Sequence, residues 1–341
     1  MPDRIHNPIS KAVEREEFAQ VAETYRSFHD ENKGGSTLVR KQHYQEMVNQ
    51  YYDLVTDFYE FGWGRSFHFA SRKRHESFRD SLIRHERFLA EAIGLHPGMR
   101  VLDVGCGVGG PMRLMAKEFG AYVVGLNNNE FQLGKCEDYN KAAGLQHQTE
   151  ILQGDFMKIP APEASFDAAF QIEATPHAPD KEGAFAEIWR VLRPGGIFGG
   201  YEWCMTPGYI VGNPAHQEIK KDIETGNGIP DIALFEDVVR ALRRAGFVVI
   251  ESFDAADTSD PETPWYRALE GRDLSLTGLR RSAIGRFVTT WTLRLLEPLR
   301  IVPKGATDVQ ELLNVAADSL VAGGRLGIFT PMFYYTARKP Q

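Results

Sequence analysis

The spacing of hydrophobic positions changes twice along this 341-residue chain. From about Lys11 to Leu95, apolar residues recur at intervals of three and four among frequent charges, as in HESFRDSLIRHERFLAEAIGL. That spacing predicts helices, broken at Gly34 and Gly35 and closed by LHPGMR. Short, partly β-branched apolar runs then take over: RVLDVGCG, AYVVGLNN, TEILQGD, FDAAFQIE and GGIFGGYEW, separated by helical stretches such as GPMRLMAKEFG and KEGAFAEIWRVL. Strand and helix alternating at this rhythm predict a parallel sheet covered on both faces. Beyond YEWCMTPGYIVGNPAH the pattern turns helical again, most clearly in LFEDVVRALRRAGF. VVIESFD then reads as a further strand, residues from about Pro261 to Gly323 as amphipathic material, and IFTPMFYYTARKP as a last strand. No internal repeat interrupts the series.

Two stretches resist this reading. YYDLVTDFYEFGWGRSFHFA, from Tyr51 to Ala70, sets rings between single carboxylates and shows neither strand alternation nor one helical stripe. Phe287, Trp291, Leu295 and Leu299 recur at every fourth position. They read first as a helix face packed on the core, and second as a lid over an apolar ligand or a surface that touches membrane.

Composition narrows the function. With 43% hydrophobic residues the chain can bury one large core, or a core with a smaller attached layer. A formal charge of −7, acids and bases interspersed, leaves no basic stripe for a phosphate backbone and excludes nucleic acid as a partner. Cys106, Cys136 and Cys204 have no paired spacing, which argues against a disulfide frame or a bound metal and for a reducing compartment. The N-terminus is charged throughout and lacks the apolar core of a signal peptide, and no apolar run reaches the roughly 18 residues of a membrane span. The expectation is a cytoplasmic protein, soluble or held peripherally on a membrane or lipid droplet.

VLDVGCGVGG carries the first chemistry. Asp103, Gly105, Gly107, Gly109 and Gly110 close the first clear strand and open a helix, where open α/β sheets bind nucleotides. Gly105, Gly107 and Gly110 satisfy the G-x-G-x-x-G spacing of a dinucleotide site, but Asp103 would repel a pyrophosphate. An acid there accepts instead from an α-ammonium, and S-adenosylmethionine has that ammonium and no phosphate. Asn127 and Asn128, ending the second strand, can meet ribose hydroxyls. Asp155 and Phe156, ending the third, can meet the adenine amine and ring face. Gln132 and Ile172 complete the cofactor candidates of the core. Each taken singly also has a plain use as a helix cap or turn residue. LRPGG matches the turn found before the fifth strand of class I methyltransferases.

The blocks YYDLVTDFYEFGWGRSFHFA, VLDVGCGVGGPMR, VVGLNNNEFQ, FQIEATPHAPD, YEWCMT and GGRLGIFTPMFYYTARKP occur in order from Tyr51 to Pro340, and together they resemble the sterol C-24 methyltransferases. The chain departs from that family's form at Arg65, Ala70 and Pro176. The resemblance implies a Rossmann-like class I methyltransferase sheet, mostly parallel with an antiparallel final strand, N-terminal helices and a C-terminal substrate-binding cap. It implies methyl transfer from S-adenosylmethionine to C-24 of a Δ24 sterol. The corresponding division is a helical region with the aromatic segment (1–95), a cofactor core (96–205), a sterol-binding region (206–330) and the final strand (331–341).

The chemistry such a transfer needs fits the residues. An alkene that attacks a sulfonium methyl leaves a tertiary cation, so the site must be dry and must stabilise positive charge without offering a nucleophile. Aromatic faces do this, at roughly 0.5 to 2 kcal/mol per ring. Tyr59 and Trp63 belong to the local supply, and the glycines around Trp63 would let backbone approach the ligand. A proton must then leave, and Glu173, His177, Glu60 and His68 are the candidate bases. Glu173 and His177 are preferred because they follow the fourth strand, while Glu60 and Tyr59 can instead hold the sterol hydroxyl. Cyclopropane fatty-acid synthases carry a comparable YD before the same domain, and by that analogy Tyr52 contacts the cofactor. Another isoprenoid, a phenol or an unsaturated acyl chain is the alternative acceptor, and a non-catalytic lipid-binding protein the alternative class. A homo-oligomer and a peripheral membrane contact are the remaining partner expectations.

Overall fold

A computed structural model describes residues 12–14, 16–271 and 282–341. The start of the charged N-terminus (1–11) and part of the amphipathic material between Pro261 and Gly323 (272–281) lie outside the described residues. In chain order the N-terminal helices are α1 (Phe18–Ser27), α2 (Thr37–Gln42), α3 (Tyr44–Trp63) and α4 (Phe78–Ala92). There follow β1 (Arg100–Val104), α5 (Gly110–Phe119), β2 (Tyr122–Asn127), α6 (Glu130–Ala142), β3 (Thr149–Gln153), β4 (Phe166–Ile172), α7 (Lys181–Val191) and β5 (Leu192–Met205). The remainder is α8 (Pro214–Asn227), β6 (Ala233–Leu234), α9 (Phe235–Arg244), β7 (Val248–Asp254), α10 (Ala283–Leu296), α11 (Ala306–Arg325) and β8 (Phe329–Arg338).

The chain forms two compact units, each assembled from separate segments. The first comprises Met1–Phe67, Val211–Asp231 and Tyr266–Leu326, the second His68–Ile210, Ile232–Trp265 and Gly327–Gln341. The second unit holds the sheet, with strand order β3-β2-β1-β4-β5-β8-β7 and the short β6 beside β5. β1 to β5 run parallel, while β8 pairs antiparallel with both β5 and β7, which is the expected mostly parallel sheet with an antiparallel final strand. Its strands are apolar on both faces because helices cover both, and Leu102, Val104, Val124, Phe166, Phe185, Ile188 and Phe198 form the shared core. LRPGG lies inside β5 as an irregularity: Phe166 is level with Leu192, but Ala168 is already level with Ile197.

The first unit corrects the reading of the aromatic stretch. Tyr51 to Trp63 is the second half of one helix, α3, and its buried face is Met47, Val48, Tyr51, Leu54, Val55 and Phe58. That is a regular helical stripe, but it begins before Tyr51, and the extra rings on other faces hide it when the stretch is read from Tyr51 onward. Gly64 has φ +94° at the C-cap and ends the helix, so its demand is conformational. Tyr51 donates to the carbonyl of Gly226 at 2.9 Å and packs on Tyr25 with ring centroids 5.5 Å apart.

α10 corrects the second stretch. Phe287, Trp291, Leu295 and Leu299 are 63%, 49%, 64% and 67% exposed, so this row is not packed on the core. The face turned inward is the one bearing Arg286, Thr290 and Leu293. Arg286 donates to Asp318 at 2.5 Å and Asn314 donates to the Thr290 hydroxyl at 3.2 Å, both on α11.

A buried ion pair joins α2 to α8. Arg40 donates to Glu224 at 3.1 Å and to the carbonyl of Pro230 at 3.0 Å, with Lys220 also on Glu224. Removing one member of such a pair strands the other in low dielectric. Glu224→Ala is expected to destabilise the protein by about 3 to 5 kcal/mol, read as a lowered urea midpoint, whereas trimming the exposed Glu23 leaves the midpoint in place.

Candidate cofactor and catalytic site

Strand order reverses between β1 and β4, and the candidates of the second unit gather at their C-terminal ends. Asp103 of β1 lies level with Gly125 of β2 and Phe170 of β4. Its carboxyl is buried, and Oδ2 has no hydrogen-bond partner. Burial pushes its pKa well above the ordinary carboxylate range, Cys136 and Glu86 push the same way, and Arg113 opposes them. A buried acid without a partner at the end of a central strand fits a cationic ligand group, because an ammonium would restore the ionised form.

The loop after Asp103 leaves room for such a ligand. At Gly105, φ is +78° and a Cβ would come within 2.3 Å of the Ala174 Cβ, so the chain's own packing requires glycine. At Gly107, φ is +52° and a Cβ would meet nothing within 4 Å, so that side of the loop is open. Asn127 ends β2 with its Nδ2 donating to Gln132 Oε1 at 2.8 Å and its Oδ1 accepting from the Asn128 N–H at 3.1 Å. Gln132 is buried in the first turn of α6. Asp155 accepts from the Met157 N–H at 2.8 Å, so one of its oxygens closes a turn. Phe156 packs, half-buried, beside the sheet core.

Ile172 ends β4 and Glu173 follows it with φ +59°. A left-handed glutamate costs of order 1 to 3 kcal/mol, and such strain concentrates at functional sites. Gln171 secures the turn: its Nε2 donates to the Tyr201 carbonyl at 2.7 Å, and its Oε1 accepts from the Ala174 N–H at 2.8 Å. The Glu173 N–H reaches the same Tyr201 carbonyl at 2.9 Å. Behind the turn, Glu202 binds Lys181 at 2.9 Å and the Thr175 hydroxyl. His177 is buried at the end of the short Thr175–His177 turn.

Glu173 and His68 meet through Phe69. The Phe69 N–H donates to Glu173 Oε1 at 2.7 Å. The His68 ring places Nδ1 2.8 Å from the Phe69 carbonyl oxygen and Nε2 2.9 Å from Glu86 Oε1. His85 stacks on His68 at 5.7 Å and on Tyr201 at 3.6 Å. Burial raises the Glu173 pKa to about 7, against the pull of the positive His68 and the Phe69 N–H.

The remaining candidates, Tyr52, Tyr59, Glu60 and Trp63, all lie on α3 in the first unit. There the Tyr59 hydroxyl bonds to that of Tyr51 and donates to Asn227 Oδ1 at 3.4 Å. Sequence reasoning missed His85, Glu86, Gln171, Lys181 and Glu202. The available signals were the His-Glu pair on the apolar side of α4 and an acid within the apolar run of β5.

A carboxyl whose folded pKa of about 7 exceeds its unfolded value of 4.5 binds its proton more tightly when folded. Its contribution therefore favours folding below pH 4.5 and is lost as pH rises toward 7. Glu173→Gln is expected to show a shallower fall of thermal midpoint across that window than the parent protein.

Residues 102–199 match the family model described as methyltransferase domain, and 276–341 that described as sterol methyltransferase C-terminal. The chain is 47% identical over 329 residues to the cycloartenol-C-24-methyltransferase of Arabidopsis thaliana, covering 96% of this chain and 97% of that one. It is 46% identical over 309 residues to the sterol 24-C-methyltransferase of Saccharomyces cerevisiae, covering 89% and 80%. A cyclopropane synthase from Mycobacterium tuberculosis superposes with a TM-score of 0.70 at 18% identity, over 86% of this chain and 98% of that one, which is a likeness of fold.

Proposed function

The chain belongs to the sterol 24-C-methyltransferase family, and we propose that it methylates C-24 of a sterol side chain carrying a 24,25 double bond, in sterol biosynthesis. It is an S-adenosylmethionine-dependent methyltransferase. One observation carries the sterol reading: similarity to the sterol enzymes spans 96% of the chain, well beyond the methyltransferase domain of residues 102–199.

When bound, S-adenosylmethionine supplies an electrophilic methyl group on a sulfonium. Asp103 would accept from its α-ammonium, and Gly105 and Gly107 would leave room for it; Asn127, Asn128 and Gln132 would serve the ribose, Asp155 and Phe156 the adenine, and Ile172 would complete the set. The electron pair of the sterol's 24,25 double bond would form the new carbon–carbon bond to that methyl while the methyl–sulfur bond breaks with its electrons returning to sulfur as a neutral thioether, which leaves a tertiary cation at C-25. Glu173 then takes the proton: a C–H bond breaks, its electrons close the new double bond, and an O–H forms on the carboxyl. A buried glutamate with a pKa near 7 suits that step, since a carbocation is a far stronger acid. His177 stabilises charge beside it. Tyr59 and Trp63 are assigned to shielding positive charge on the strength of the sequence, as Glu60 is to the sterol hydroxyl and Tyr52 to the cofactor.

Among the described residues no helix is long and apolar enough to cross a membrane. We extend the proposal to a peripheral contact with a membrane or lipid droplet and to a homo-oligomer. The exposed row on α10 supports a surface that is covered in the working protein.

Incubation with labelled S-adenosylmethionine and zymosterol, lanosterol, cycloartenol, a 24-methylene sterol or squalene tests the acceptor. Labelled methylated sterol is expected; label in none of the sterols sinks the assignment. Asp103→Asn is expected to weaken cofactor binding by roughly 10- to 100-fold in calorimetry, with the fold intact by circular dichroism. Trp63→Ala should depress turnover if the rings cage a cation, whereas full activity would favour a phenolic acceptor.

A further inference from the structure

We propose that Glu86 is a positioning residue for Glu173: through the His68 ring it fixes Phe69, whose N–H holds the Glu173 carboxylate in its proton-accepting state. The proposal rests on the reading that Glu173 accepts the proton.

The geometry determines where protons sit. His68 Nδ1 is 2.8 Å from a carbonyl oxygen, which only accepts, so Nδ1 carries a hydrogen. Nε2 faces a Glu86 oxygen at 2.9 Å. A neutral ring would then point a lone pair at a carboxylate, so a proton is held between the two side chains. Both are 2–3% exposed, and water cannot replace either partner. Burial opposes a charged ring, but the hydrogen bond and charge of Glu86, joined by smaller contributions from the Glu173 charge and the Phe69 carbonyl, outweigh it and raise the His68 pKa.

His85 is the other neighbour of that ring. Burial and the charges of His68 and Arg84 push its pKa well below the ordinary value, so it stacks as a neutral plate between His68 and Tyr201 and adds no competing charge. Glu173 faces His68 from one side and Glu202 of β5 from the other. Lys181 of α7 offsets the charge of Glu202. Asp103 of β1 also senses Glu86, so removing that charge eases the ionisation of Asp103. The positive charge that favours the Glu173 carboxylate is therefore one that Glu86 does most to sustain.

Glu86→Gln keeps the shape, and its amide N–H can still donate to Nε2, but the ring loses its positive charge. The rate-against-pH profile of the variant is expected to keep its form while its acidic limb moves to higher pH by about one unit, a roughly tenfold loss below the limb that is regained as pH rises. KM for S-adenosylmethionine should change less than twofold. A uniform loss at every pH would show a merely structural role and overturn the proposal. A second measurement needs no variant: ring nitrogen shifts of His68 in the cofactor-free parent should report an imidazolium at pH 7.5, and a neutral ring there overturns it equally. If Glu173→Gln retains full turnover, the base assignment itself fails. An inactive Glu173→Gln beside an unmoved limb in Glu86→Gln overturns only the role of Glu86.

Discussion

Burying a carboxylate costs several kcal/mol unless something answers its charge, and the second unit buries Glu86, Asp103, Glu173 and Glu202. The four are answered differently. Lys181 meets Glu202 and His68 meets Glu86, whereas Glu173 has a backbone N–H and Asp103 keeps an oxygen with no partner. The first two make the walls rigid. The last two are the less fully compensated, and both stand where strand order reverses between β1 and β4.

The same acids explain the distorted backbone after β4. Glu173 meets the Phe69 N–H from a left-handed backbone, and Gln171 braces that turn by bonding the Ala174 N–H on one side and the Tyr201 carbonyl of β5 on the other. Close approach of Ala174 to Gly105 then fixes how the two loops sit on each other. The geometry around Asp103 and Glu173 is thus a property of paired loops rather than of either loop alone.

Local periodicity made much of this legible. The strands and helices of the sheet lie close to the apolar runs that foretold them, because parallel strands buried on both faces carry an uninterrupted apolar signal. Asp103 and Glu173 were legible for another reason: each sits at a strand end, where backbone pattern and chemistry coincide. What escaped was set by tertiary packing. The α3 stripe was hidden by rings on its other faces, and the α10 row was assigned inward although Arg286 and Leu293 take that side. His85 and Glu86 lie on the apolar side of α4, but no linear pattern shows that Tyr201 and His68 will pack against them.

The place of β8 bears on how the chain is made. Among the described residues β7 has no strand neighbour but β8, and β8 also pairs along β5. Between β7 and β8 the chain runs through Tyr266–Leu326, which belongs to the other unit. On a ribosome, therefore, β5 and β7 wait with unpaired edges while the intervening segment of the first unit is synthesised, and β8 closes the gap between them once it emerges. A nascent chain stalled in that interval presents open strand edges to its neighbours, so the stretch between β7 and β8 is where synthesis of this sheet is most exposed to mispairing.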